Sequence, residues 1–176
     1  MPSPTVSGDR PPGLRPATAQ PAASPSPTGL AVLLLGGFVT VFDLFVVNVA
    51  IPAMRTDLGA SFGEIGAVVA AYELAYGVLL IIGSRLGDLH GRRRLFVLGM
   101  AGFTLSSALC GVAATPALLI AARVLQGMAA ALLFPQIYAV IRVSYADAAR
   151  RRAFGLLGMT LGLAAIAGQV LGGLLV

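Results

Sequence analysis

The chain has 176 residues, of which 57% are hydrophobic and 11% charged, and its mean hydropathy is +0.90. Soluble domains average about a quarter charged residues, so this composition excludes an ordinary soluble protein and indicates an integral membrane protein. The formal charge of +5 comes from arginine without lysine, and these arginines flank apolar runs rather than an aromatic-rich polar domain, which argues against nucleic-acid binding.

Residues 1–28 form a segment rich in Pro, Ser and Ala with almost no side chain to bury. This composition predicts a disordered tail. A secretory signal peptide is disfavoured, because its apolar core of roughly 7–15 residues would lie close to the N-terminus. Here the first apolar run begins later and is longer.

Five apolar runs follow the tail, and each is long enough to cross a bilayer. About 20 residues rising about 1.5 Å each span a hydrocarbon core of about 30 Å, and backbone groups in lipid must bond within their own segment as a helix. Ser61 and Glu64 form a capping box before the second run. Thr115 is placed to cap the fourth, with Pro116 at its first helical position. The spans predicted for this all-α membrane protein are 30–52, 65–86, 95–114, 116–141 and 154–176.

Arginine is distributed unevenly among the connections. It occurs before the first span, between the second and third, and between the fourth and fifth, whereas the other two connections hold only Arg55. Short basic loops stay on the cytoplasmic side during insertion. The pattern therefore predicts a multi-pass protein of the cell (inner or plasma) membrane with a cytoplasmic N-terminus and tail.

The connection GSRLGDLHGRRRLF, residues 83–96, carries more than a topological anchor requires. Asp88 could pair with Arg85 or Arg92, or accept hydrogen bonds from the N-terminus of a neighbouring helix. Three glycines recur every four residues and would give a small-residue face for close packing: Gly83, Gly87 and Gly91. We therefore expect a hinge that locks against another helix.

Four motifs in chain order resemble those of the major facilitator superfamily. They are FDLFVVNVAIP, GSRLGDLHGRRRL, RVLQGMAAA and GLLGMTLGLAAIAGQVLGG. The second resembles the superfamily's gating-loop signature, and the matching residues are Gly83, Gly87, Asp88, Gly91, Arg92 and Arg93. The first resembles the drug:proton antiporter branch with fourteen spans (EmrB/QacA type). The resemblance implies that residues 29–176 form five helices of an N-terminal six-helix half, so that the chain is a fragment.

Three charged residues lie at membrane depth. A carboxylate such as Asp43 costs about 2.5–3.5 kcal/mol there, so it is expected to face a cavity or a partner. The resemblance implies proton coupling for Asp43 and Arg123, although a structural aspartate and a snorkelling arginine are the plainer alternatives. Glu73 could bind a cationic substrate, take a proton or pair with Arg123, and these alternatives stay open.

Neighbours on the same helices extend this set. Gln126 and Gly127 follow Arg123 at i+3 and i+4 and therefore share its face. Asn48 is five residues from Asp43, which turns the helix by about 140°, so only one of the two is expected to line the cavity.

Glycines of the fifth run and Gly127 predict tight helix packing. The resemblance implies that the fifth helix packs against the opposite half of a transporter. Gln169 stands where the family pattern has proline, which removes an expected kink. The glycines of the fifth run in this set are Gly155, Gly168, Gly172 and Gly173.

Taken together, these features predict a proton-coupled transporter, with multidrug efflux as the favoured activity. No nucleophile elbow, phosphate loop or metal-ligand pattern occurs, so we expect no enzyme, cofactor or metal, and the proton gradient as energy source. The expected partners are membrane lipid, a small hydrophobic or cationic substrate, and a missing C-terminal half without which the fragment is inactive. The alternatives are a small membrane subunit or assembly protein, and a metabolite or sugar carrier.

Overall fold

The computed structural model describes residues 26–175, and the side chains of residues 26–174. Residues 1–25 of the predicted tail lie outside this part. The tail prediction ends too late, because Ser26 accepts a hydrogen bond from the amide of Gly29 and starts a helix with Pro27 in its first turn. The helices are α1 (Pro27–Val49), α2 (Ile51–Asp57), α3 (Phe62–His90), α4 (Arg92–Gly111), α5 (Pro116–Ser144) and α6 (Asp147–Leu175).

Five of these helices are long and apolar enough to cross a membrane, and α2 is not because it has only seven residues. The five-span architecture predicted from the sequence is therefore confirmed. Several predicted bounds are wrong by a few residues, because apolarity marks the part of a helix in lipid rather than its ends. The capping box of Ser61 starts α3 at Phe62, and α6 begins at Asp147, well before residue 154.

The basic connection between α3 and α4 is a helix corner rather than a loop. Gly83 and Gly87 belong to α3, which continues to His90, and α4 begins at Arg92. Gly91 alone separates the two helices, with a φ of +93° that favours glycine. Gly91 does not extend the predicted packing face, because an added Cβ would have no neighbour within 4 Å.

The bundle is organised around α5. This helix packs between α3 and α4, while α1 packs mainly on α6 and also touches α5. One hydrophobic core joins α1, α4, α5 and α6, and its innermost side chains are Leu133, Ile137, Ile141 and Leu157. Several large apolar side chains of α3 and most of those of α6 are exposed on the outside of the bundle. In a bilayer such side chains face lipid.

Glycines allow α3 and α4 to approach α5 closely. A Cβ on Gly83 would overlap the carbonyl oxygen of Ala131, and one on Gly99 would lie 2.7 Å from the backbone nitrogen of Leu133. The Gln136 side chain lies over Gly87, and its Nε2 donates to the Gly83 carbonyl oxygen at 2.9 Å. These contacts fix the register of α3 on α5.

Candidate functional site

A buried ion pair joins α1 to α5. Arg123 Nη1 donates to Asp43 Oδ2 at 2.6 Å, and the side chains are 1% and 15% exposed, respectively. The snorkelling alternative for Arg123 is wrong, since a snorkelling guanidinium would reach the bundle surface. The pair thus places two opposite charges inside the spans, where each offsets part of the cost of burying the other.

Gln126 bridges the two charges from the next turn of α5. Its Nε2 donates to Asp43 Oδ1 at 2.7 Å, and its Oε1 accepts from Arg123 Nη1 at 2.7 Å. The sulfur of Cys110, on α4, lies 3.6 Å from the same Oε1. Both carboxylate oxygens of Asp43 therefore accept hydrogen bonds from α5, as the shared face of Arg123 and Gln126 allows.

Tyr72 completes the site from α3. The guanidinium carbon of Arg123 lies 4.2 Å from the centroid of the buried Tyr72 ring, which is a cation–π geometry. The backbone of Tyr72 approaches Gly127 so closely that a Cβ there would overlap the Tyr72 carbonyl oxygen. Gly127 therefore packs closely against α3, as predicted, and this close approach places Tyr72 beside Arg123. The Arg123 Nε is buried without a hydrogen-bond partner among the described residues.

Two predicted site residues lie outside this cluster. Asn48 is exposed, and its Nδ2 donates to the Leu44 carbonyl oxygen at 2.9 Å within α1. Glu73 is exposed and forms no salt bridge within residues 26–174, so the possible pairing with Arg123 does not occur. Tyr72 and Glu73 are adjacent on a helix and project about 100° apart, so only Tyr72 faces Arg123.

The charged residues of the basic corner form a second cluster, which is partly exposed. Asp88 Oδ1 accepts hydrogen bonds from Arg92 Nε at 3.1 Å and Nη2 at 2.8 Å. Arg92 Nη1 donates to the Ala139 carbonyl oxygen at 3.0 Å, which ties the corner to α5. Arg93 is exposed. Arg92 is therefore the partner of Asp88 in this structure, and the pair locks onto α5 within the same bundle.

The α6 glycines divide into two groups. An added Cβ would lie 2.7 Å from the Phe42 carbonyl oxygen at Gly168, and 3.3 Å from the Val49 Cβ at Gly172. At Gly173 the nearest atom is Val49 Cγ1 at 3.8 Å, whereas Gly155 has no neighbour within 4 Å. The C-terminal glycines therefore pack closely on α1 of the same bundle, as tight helix packing predicts, whereas Gly155 does not.

The sequence alone did not single out Tyr72 and Cys110 as partners of the ion pair. Both lie on helices other than those of Asp43 and Arg123, and spacing along one helix cannot align residues of another. The available signal is a polar side chain inside a span, which is frequent at packing interfaces.

Comparison with known proteins assigns the chain to a family. The family model described as the Major Facilitator Superfamily matches residues 33–176, which is most of the chain. The chain belongs to the major facilitator superfamily. The fold predicted from the four motifs is thus confirmed as part of the N-terminal half of that fold.

Similar members of the superfamily are named as a probable transporter, a resistance protein and an export protein. The chain is 44% identical to the probable actinorhodin transporter of Streptomyces coelicolor over 88% of its own length and 28% of that protein. It is 43% identical to the puromycin resistance protein pur8 of Streptomyces alboniger, covering 84% of the chain and 29% of the relative. The cephamycin export protein CmcT of Amycolatopsis lactamdurans is 44% identical over 73% of the chain and 26% of its own length.

The chain therefore spans less than a third of the length of these relatives. The predicted resemblance to the drug-exporting part of the superfamily is confirmed, together with its multi-pass membrane character.

Proposed function

We propose that this chain is the N-terminal part of a proton-coupled drug exporter of the cell membrane. The buried cluster of Asp43, Arg123 and Gln126 carries this proposal. In this cluster the carboxyl group of Asp43, on α1, is held by two partners on α5. The relatives that are named as a resistance protein and an export protein support efflux over uptake of a metabolite. Transport rather than catalysis is the proposed activity, and the remaining spans of a full-length transporter would be its partner.

In this proposal Asp43 binds and releases the driving proton. When Asp43 is ionised, its charge holds Arg123 and Gln126 against α1, and Arg123 in turn lies on Tyr72 of α3. Protonation removes the charge and weakens these hydrogen bonds, because charge-assisted bonds are roughly twice as strong as neutral ones. The contacts between α1 and α5 would then loosen, which is a local change able to bias a rocking motion of two halves.

The Asp43→Asn variant of the complete gene product is expected to lose proton-driven efflux by at least about tenfold, since asparagine keeps the shape and cannot carry a proton. The measurement is dye or drug efflux from inverted vesicles energised by a pH gradient. Amounts of folded protein are compared by size-exclusion chromatography in detergent.

Glu73→Gln is the matched control, because Glu73 is the other carboxylate predicted to lie at membrane depth and is exposed. It is expected to keep proton-driven efflux. Full efflux by Asp43→Asn would contradict the proposal, and loss in Glu73→Gln alone would move the proton site to α3.

We further propose that the N-terminus faces the cytoplasm, as the arginine distribution indicates. Single cysteines are introduced in a Cys110→Ser background at Thr56, which precedes α3, and at Arg93, in the α3–α4 corner; both positions are exposed. A membrane-impermeant maleimide is expected to label Thr56→Cys in intact cells and Arg93→Cys only in inverted vesicles. The reverse labelling pattern would overturn this orientation.

A further inference from the structure

A groove of about 1070 Å³ lies between α3 and α5 and reaches the first turns of α6. Its volume is slightly above the range for small-molecule sites, roughly 300–1,000 Å³, so it can hold several fused rings. Four aromatic side chains from three helices form one wall: Tyr76, Phe134, Tyr138 and Phe154.

These four rings form a continuous row. The centroids of Tyr76 and Phe134 are 6.4 Å apart, those of Phe134 and Tyr138 5.5 Å, and those of Tyr138 and Phe154 6.0 Å. Tyr76 also stacks on Tyr72 at 6.2 Å and 5°. Since Tyr72 covers Arg123, the row connects the groove with the buried ion pair.

The charged side chains that line the groove carry an excess of positive charge. Three arginines and one aspartate line it, which leaves a net of two positive charges. Asp88 is already occupied by Arg92. Arg85 and Arg142 are exposed, and within residues 26–174 no carboxylate lies at salt-bridge distance from either.

We propose that this groove is a binding site for planar aromatic molecules that carry an acidic group. The inference rests on the proposed exporter function and gives it a substrate class that differs from the hydrophobic or cationic molecules expected from the sequence. The aromatic row offers faces and edges on which fused rings stack. Arg85 and Arg142 offer guanidinium groups that bind carboxylate or sulfonate through paired hydrogen bonds.

Charge is the feature that selects among aromatic molecules here. A cation of the same size would also stack on the rings, with a cation–π attraction. It would, however, approach two arginines without a carboxylate partner, and like charges repel each other. Arg85 and Arg142 therefore act as specificity-determining residues, and the rings supply a stacking surface for aromatic molecules of any charge.

Three probes with one ring system test this assignment: pyrene-1-carboxylate, pyrene-1-methanol and pyrene-1-methylammonium. Their binding to the purified complete gene product is followed by pyrene fluorescence. The carboxylate is expected to bind about tenfold more tightly than the ammonium, with the alcohol between them. Arg85→Gln with Arg142→Gln is expected to weaken carboxylate binding by about tenfold.

The alcohol serves as the folding control, since the same double variant should bind it as the unmodified protein does. Arg85→Lys with Arg142→Lys should retain most of the preference for the carboxylate, and Phe134→Leu should weaken binding of all three probes.

Equal affinity for the three probes, or carboxylate binding that ignores both arginines, would overturn the inference. So would displacement of the carboxylate by phosphatidylglycerol with no effect of Phe134→Leu, which would assign the groove to lipid. Absence of binding by all three probes would overturn the inference as well. The efflux result for Asp43→Asn is independent, because it reports on proton coupling whether or not the probes distinguish charge.

Discussion

Arg123→Met is expected to destabilise the bundle by about 3–5 kcal/mol, which is the usual cost of removing one partner of a buried ion pair. The variant leaves the Asp43 carboxylate beside Gln126 with no cation, and it removes the group that covers the Tyr72 ring. Methionine has a similar length and no charge, so the loss would come from the unpaired carboxylate rather than from a large cavity. The measurement is thermal unfolding of the purified gene product in detergent.

The double variant Asp43→Asn with Arg123→Met separates stability from function. It contains no buried charge at this site, and replacement of both partners of a buried pair is often close to neutral. We therefore expect it to regain most of the lost thermal stability while proton-driven efflux stays absent. A single variant as stable as the unmodified protein, or a double variant as unstable as the single one, would show that the ion pair contributes little to the fold.

Gly83→Ala is expected to destabilise the protein by about 1–3 kcal/mol or more, the range for overpacking a closely fitted interface. The added methyl group would overlap the carbonyl carbon and oxygen of Ala131, and this backbone cannot move without separating α3 from α5. The displacement would also disturb the hydrogen bond from Gln136 to the Gly83 carbonyl oxygen. Thermal unfolding in detergent again provides the measurement.

Gly77→Ala is the matched control on the same helix, because its added Cβ would meet no atom within 4 Å. Alanine is favoured over glycine in a helix by up to about 1 kcal/mol, so this variant should be as stable as the unmodified protein or more so. Equal stability of the two variants would contradict the close approach of α3 and α5.

The spans were predictable because lipid imposes length and apolarity on each helix separately. Their ends were less so, since α6 begins at Asp147, outside the apolar run. The start of α3 is an exception, because the capping box predicted at Ser61 and Glu64 is present. The corner at Gly91 was predicted as a longer hinge, because a basic sequence does not distinguish a loop from a helix that leaves the bilayer.

The sequence predicted which charged residues belong to the buried site better than it predicted which of them form an ion pair. Asp43 and Arg123 stood out because charges in a span need a partner. Two carboxylates at membrane depth, Asp43 and Glu73, were possible partners of Arg123, and the sequence did not decide between them. The choice between them depends on which faces of α1 and α3 meet α5, and that is set by packing among helices distant in the sequence.

The separation of 80 residues between Asp43 and Arg123 has a consequence for biosynthesis. At about 5–20 residues per second, a ribosome needs about 4–16 s to make the intervening chain. Throughout this interval the first helix carries a lone acidic group with no cation from the fourth span to neutralise it. Nascent chains stalled within that window would be the ones most exposed to quality-control proteases.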